Sequence, residues 1–257
     1  MDKKTEIKKE KDNNPENSSK YKIFPVKIDK KKHPKWENVE EFLPGGDGTG
    51  SFAILSQAPP KSGKSCWCLN MLLSPKFDWI NRFDRIVIIS PTIFSDKTMA
   101  PIHKVIDPEI PDNPYADKVK LFDDIDSIDL IINSLLEEQK ENLEVKTLLI
   151  IDDAIGTMKT GLLGKTMAKY RHYNLSILAI SQVWKGFCPI SRASANGYVL
   201  WKTFNTKERD KVIQELSGIP GIEQMYDDVT SKKHSFLWVN LENMSVWDNF
   251  DRCLWKK

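Results

Sequence analysis

Ala58, Gly63, Lys64 and Ser65 stand at the spacing G-x-x-x-x-G-K-[ST], with alanine in the first position, inside the run FAILSQAPPKSGKSCWCLNMLL. A strand-like stretch leads into this run and a helix-like stretch leaves it, which is the setting a polyphosphate cradle needs. The main chain from Ala58 through Pro59, Pro60, Lys61, Ser62, Gly63, Lys64 and Ser65 to Cys66 would wrap a nucleotide's phosphates. The positive end of the following helix would face the same charge. Gly63 lets the backbone approach closely, and Ala58 suits the cradle if its φ stays negative. Lys64 is the point charge for the β and γ phosphates of the nucleotide, and the Ser65 hydroxyl is a candidate Mg²⁺ ligand. Gly164-Lys165-Thr166 repeats the G-K-T triplet, but Lys159 holds the first position and no strand precedes it. It is discounted as a phosphate loop.

The run Thr147-Leu148-Leu149-Ile150-Ile151-Asp152-Asp153 is an apolar strand ending in two carboxylates. Asp152 is the candidate to hold Mg²⁺ through water. Asp153, one residue further on, is the candidate to polarise the attacking water. Paired acids at a strand end also form turns, and it is the upstream loop that favours chemistry here. The next apolar strand, Ser176 to Ile180, exits into Ser181 and Gln182, whose amide could bond a γ-phosphate oxygen or the lytic water and so sense nucleotide state. Arg192, and in competition Arg171, could supply positive charge to a developing transition state, although each could equally be a surface or capping cation. Trp184, Lys185 and Phe187 place aromatic and basic groups in one loop, a mixture that suits contact with nucleic acid, with packing the favoured role of both rings.

These residues need a scaffold that brings strand ends together. Apolar runs over 52–56, 85–90, 118–122, 147–152, 175–180 and 198–202 read as strands covered on both faces. Helical stretches fall at 64–73, 125–140, 162–172 and 207–217, the second with Ile128, Ile131, Ile132, Leu135 and Leu136 at three- and four-residue spacing. Alternation of this kind predicts a doubly wound α/β fold, a mostly parallel sheet with helices on both faces, and the phosphate loop set in it points to the P-loop NTPase (RecA/ASCE-like) class. HSFLWVN and MSVWDNF, joined by a turn, read as a C-terminal β-hairpin at one edge.

The chain has 257 residues, 40% hydrophobic and 29% charged, which suits one folded core and excludes collagen-like or cysteine-stapled classes. Its net charge of +2 conceals an N-terminal run, residues 1–35, with twice as many lysines as acids. That segment is read as a basic, disordered tail, solvated or touching a polyanion, and 36–257 as the P-loop ATPase domain. Residues 36–42 read as the first packed element and 43–50 as a glycine-rich entrance loop. No apolar run is long enough to span a membrane, and the lysine-rich start lacks a signal-peptide core. Cys66, Cys68, Cys188 and Cys253 lack zinc-finger spacing and are read as reduced thiols of an intracellular, unsecreted protein.

The order of the phosphate loop, LLIIDD, RHYNLSILAISQ and then PISRASAN before an apolar strand resembles the FtsK/HerA superfamily of ring-forming motors. It is most similar to the DNA-packaging ATPases of poxviruses, giant viruses and virophages. The resemblance covers about residues 50–250 and implies an ATPase with ATP and Mg²⁺ as cofactors. It implies double-stranded DNA, bound without sequence preference, and a homo-oligomeric ring. A capsid or capsid-vertex protein would be the further partner, in the virion or the host cytoplasm. By the same resemblance Lys64 and Ser65 contact phosphate and Mg²⁺, Asp152 is the metal residue, Gln182 the sensor and Arg192 the finger. The family commonly carries glutamate where Asp153 stands. Three other readings remain: a P-loop kinase, whose arginine-rich lid residues 97–117 do not provide; a slowly hydrolysing assembly factor; and a HerA-like motor of recombination or repair.

Overall fold

The computed structural model describes residues 50–158 and 161–257. The tail read over 1–35, the element over 36–42 and nearly all of the loop over 43–50 lie outside the described residues, as does Lys159.

Among the described residues nine strands, β1 (Ala53–Gln57), β2 (Arg85–Ile89), β3 (Val119–Phe122), β4 (Thr147–Asp152), β5 (Leu175–Ser181), β6 (Gly197–Trp201), β7 (Phe236–Asn240), β8 (Ser245–Asp248) and β9 (Arg252–Lys256), form one sheet. Its order is β3-β2-β4-β5-β1-β6-β7-β8-β9. Strands β1 to β6 are mutually parallel, and β7, β8 and β9 continue the sheet antiparallel. The helices are α1 (Lys64–Leu73), α2 (Trp79–Arg82), α3 (Ala100–Val105), α4 (Ile128–Glu141), α5 (Leu162–Met167), α6 (Pro189–Ser194), α7 (Thr206–Glu215) and α8 (Ile222–Thr230).

Alternation of side chains along each strand divides the core into two layers. Ile54, Ile86, Ile88, Leu148, Ile150, Leu178 and Ile180 pack with Trp67, Met71 and Leu72 of α1, Trp79 of α2 and Ile102 of α3. Leu55, Val87, Leu149, Ile151, Ile177 and Ala179 face the other way, against Ile132 of α4, Met167 of α5, Val212 of α7 and Tyr226 of α8. Burial on both faces is why these strands read as continuous apolar runs.

The sheet differs from the sequence reading at its less apolar parts. The helix expected over 162–172 divides into α5 and a 3₁₀ turn, Tyr170–Tyr173, which buries Tyr170 before Asn174, at φ 49°, turns the chain into β5. The expected hairpin is β7 and β8, but β9 adds a third antiparallel strand, half-exposed at the edge and without a strong alternation. Helix α8 follows a Gly-Ile-Pro-Gly turn and was not anticipated, although Ile222, Tyr226 and Val229 share its buried face.

The parallel strands fix the position of the chemistry. The C-terminal ends of β1, β2, β4, β5 and β6 all reach the same edge of the sheet, where loops and helix N-termini gather.

Candidate active site

Strand β1 is covered on both sides by β5 and β6, so its exit is held rigidly, and the Ala58 N–H donates to the Ser181 carbonyl at 2.9 Å. From there the chain turns through Pro59 to Ser62, with Lys61 at φ 62° and Gly63 at φ 101°. Both are left-handed conformations; at Gly63 the absence of a Cβ makes this inexpensive. Helix α1 starts immediately, at Lys64, so its unsatisfied N–H groups open onto the loop. The Ser62 hydroxyl and the Gln57 Oε1 are buried without a hydrogen-bond partner, polar capacity directed at the turn that a polyphosphate would use.

Strand β4 ends at Asp152, opposite Ile180 of β5, and Asp153 follows at φ 53°. This turn brings both carboxylates to Lys64. Its Nζ lies 2.9 Å from Asp152 Oδ1 and also donates to Asp153 Oδ2. The Gln182 Nε2 donates to the same Asp153 oxygen at 3.2 Å, and the Gln57 amide steadies the Gln182 carbonyl, also at 3.2 Å. Lys64, Asp152, Asp153 and Gln182, far apart in the chain, thus form one contiguous polar cluster.

Electrostatics tie the cluster together. Burial lowers the Lys64 ammonium's pKa, but the carboxylates of Asp152 and Asp153 outweigh it and hold the group above the ordinary lysine value. Burial also dominates at Asp152, pushing its carboxyl up despite the opposing Lys64 charge. The buried Cys68 thiol, on α1 beneath the cluster, is pushed up to about 12 by desolvation and then by the Asp152 charge.

Hard oxygen donors surround a small cavity of about 10 Å³ behind Lys64, among them Ser65, Ser90, Thr92, Asp96 and Asp152. Among the described residues no group of three or more His, Cys, Asp or Glu side chains could enclose a metal ion. One or two carboxylates with a hydroxyl suit Mg²⁺, which takes its remaining ligands from water and substrate phosphate. The donor set fits.

No family model and no curated protein matches the chain. Solved structures do. The genome packaging NTPase B204 from Sulfolobus turreted icosahedral virus 2, in complex with ATP-gammaS, superposes with TM-score 0.52 at 16% identity, over 77% of this chain and 96% of that one. B204, the DNA-packaging ATPase from Sulfolobus turreted icosahedral virus, gives 0.56 at 13% identity over the same shares, 77% and 96%. VirB4 of Thermoanaerobacter pseudethanolicus gives 0.53 at 15% identity, covering 79% and 90%. The chain shares the fold of these solved structures.

Within this fold, not every residue singled out in the sequence joins the cluster. Ser65 lies beside it, lining the same small cavity as Asp96. Arg192, on α6, instead donates from Nε to Glu215 at 3.0 Å and from NH1 to the Phe187 carbonyl at 2.6 Å. Arg171 donates from Nε to the Tyr170 hydroxyl at 2.8 Å and stacks over that ring. Trp184 and Phe187 are core residues, edge-on to one another, so the aromatic half of the 184–187 loop packs. Gly164 to Thr166 fall inside α5, away from any strand exit, in keeping with their rejection as a phosphate loop.

Three residues at the site carried no motif. Asp96 accepts the Thr98 N–H at 2.8 Å; burial raises its carboxyl, but the polar groups of Thr98 and Ser65 and the Lys64 charge bring it below the usual value. Ser90 donates to Asp152 Oδ2 at 3.3 Å from the end of β2, a position that strand-end logic would have flagged. His234 reaches the Ser62 carbonyl from the loop before β7, with no local sequence signal at all.

Proposed function

We propose that this chain hydrolyses ATP at the cluster of Lys64, Asp152, Asp153 and Gln182 and uses the hydrolysis to move double-stranded DNA into a preformed viral capsid. The observation that carries the reading is the meeting of the phosphate loop with the acidic end of β4, in a fold spanning 96% of a genome packaging NTPase.

In this reading the turn from Ala58 to Cys66 holds the triphosphate, and Lys64 neutralises its β and γ oxygens. Ser65 and Asp152 hold Mg²⁺, which supplies neutralisation of phosphate charge when bound. Asp153 orients the attacking water and accepts its proton, and Gln182, which bridges to Asp153, senses the γ-phosphate. Arg192 or Arg171 supplies a finger, in its own site or to a neighbouring subunit of a homo-oligomeric ring. The domain that performs this extends over 36–257, with the basic segment 1–35 as an accessory arm. A packaging role puts the protein at the capsid, in the virion or the host cytoplasm. Among the described residues no helix is long and apolar enough to cross a membrane.

The deciding experiment is ATP turnover with and without long double-stranded DNA on protein fractionated by size. Stimulation confined to a ring-sized fraction supports a translocase. Turnover indifferent to DNA in every fraction removes it.

A further inference from the structure

Past Gln182 the chain leaves the nucleotide site, makes the 3₁₀ turn Trp184–Gly186 and borders, with α7, an open groove of about 620 Å³. Lys185, Arg192 and Lys211 bring positive charge to its lining. The carboxylates within reach are engaged. Glu208, buried, accepts from the Trp184 N–H at 2.7 Å and the Lys185 N–H at 3.3 Å, and lies only at 3.7 Å from Lys211 Nζ. Glu215 takes the Arg192 Nε at 3.0 Å.

Lys211 Nζ has Glu208 Oε1 3.7 Å away, whereas Lys185, on the same groove wall, has no carboxylate partner among the described residues. Desolvation, and then the Lys185 ammonium, holds Lys211 below the ordinary lysine value. Like charges at a groove wall are relieved by an anion placed between them. The rings at the groove offer no stacking face, because Trp184 is 1% and Phe187 0% exposed. Charge is what the groove has to offer, and a base is not what it would read.

We propose that this groove is a phosphate-binding site, with Lys185 and Lys211 as its contacts and the sugar-phosphate backbone of duplex DNA as its ligand. The choice of DNA rests on the function proposed above; the phosphate site does not. Glu208 fixes the backbone of Trp184 and Lys185 to α7, and Gln182, two residues upstream of Trp184, holds Asp153. Phosphate in the groove thus acts on the segment that also touches the catalytic cluster.

The test pairs the full chain with a variant carrying Lys185→Gln and Lys211→Gln, both surface changes. Binding of a fluorescent 40-bp duplex is followed by anisotropy across a salt series. Inorganic tripolyphosphate is titrated separately by calorimetry, with the phosphate loop saturated by a non-hydrolysable ATP analogue. The expected result is a loss of about tenfold in duplex affinity at low salt and a salt slope smaller by about two, with affinity for a fluorescent ATP analogue and the melting temperature unchanged. Duplex binding intact with tripolyphosphate binding lost keeps the phosphate site and assigns it to a nucleotide's polyphosphate instead. Both ligands bound equally by the two proteins overturns the proposal. If the wild-type chain binds no duplex, the translocase reading fails, and the tripolyphosphate arm still decides the groove.

Discussion

The Nδ1 of His234 lies 3.0 Å from the carbonyl oxygen of Ser62 and would stand 3.2 Å from a methyl group placed on Gly63. A residue from the loop ahead of β7 therefore clasps the turn between β1 and α1 at the point where its backbone is left-handed. Gly63→Ala meets two obstacles there. The left-handed conformation costs an L-residue about 1–2 kcal/mol, and the new methyl presses on His234. We expect affinity for a fluorescent ATP analogue to fall at least about tenfold, by the same arithmetic. Titration showing native affinity in this variant would mean the turn does not hold phosphate in the conformation described.

Lys64→Ala should abolish ATP turnover, and it should also make stability depend on pH. With the ammonium gone, Asp152 loses the charge that opposes its burial, so its carboxyl rises further above the unfolded value. A group raised in the folded state contributes stability below its unfolded pKa and loses it as pH climbs through the folded one. The melting temperature of the variant should therefore drop, relative to wild type, between pH 4 and pH 7. Adding Asp152→Asn should recover it, by on the order of 1 kcal/mol or more. A penalty that is flat across this pH range would place the loss elsewhere.

Asp153→Asn separates binding from chemistry. The amide keeps the size of the side chain and removes its ability to take a proton, so nucleotide affinity should stay within a few fold while turnover falls by about two to four orders of magnitude. Paired binding and single-turnover measurements check this; equal losses in both would make Asp153 a binding group.

The cysteines supply a chemical footprint. Cys66, exposed on the first turn of α1, should react with a maleimide at pH 8 and be shielded by ATP. Cys68, two residues on and buried, keeps its proton because its thiol is pushed up to about 12, and it should stay unmodified in the folded chain. Peptide mass mapping with and without nucleotide reads both sites. Modification of Cys68 at a rate matching Cys66 would contradict the packing of α1 on the sheet.

Arg192 pairs with Glu215 in its own chain, which leaves open a role toward a second copy. Mixing Arg192→Ala with wild-type protein tests it. A finger acting across a boundary gives activity falling faster than the mutant fraction, and strict proportionality makes any effect internal.

Much of the fold was legible because burial on both faces leaves a plain mark. Thr147 to Ile151 and Leu175 to Ile180 are uninterrupted apolar runs, and strands β4 and β5 occupy them. The region after Trp201 was harder. Helix α8 is short, and β9 is an edge strand with one face in water, so neither carries enough apolar pattern to announce itself. At the site, Lys64, Asp152, Asp153 and Gln182 were readable because each ends or immediately follows a strand or begins a helix. Asp96 and His234 were not, since each reaches the loop from an irregular segment whose path depends on packing elsewhere.

The sequence by itself determined that the strands would be parallel and that their carboxyl ends would carry a glycine-bearing turn and two acids, because hydrophobic periodicity and residue type are local properties. Only the tertiary structure decided which of those ends become neighbours. Strand β5 enters between β1 and β4, bringing Gln182 between that turn and the acids, while Arg192 and Arg171 are drawn to other partners. Strand order is set by how two apolar faces share their helices, a property of the whole chain that no single segment encodes.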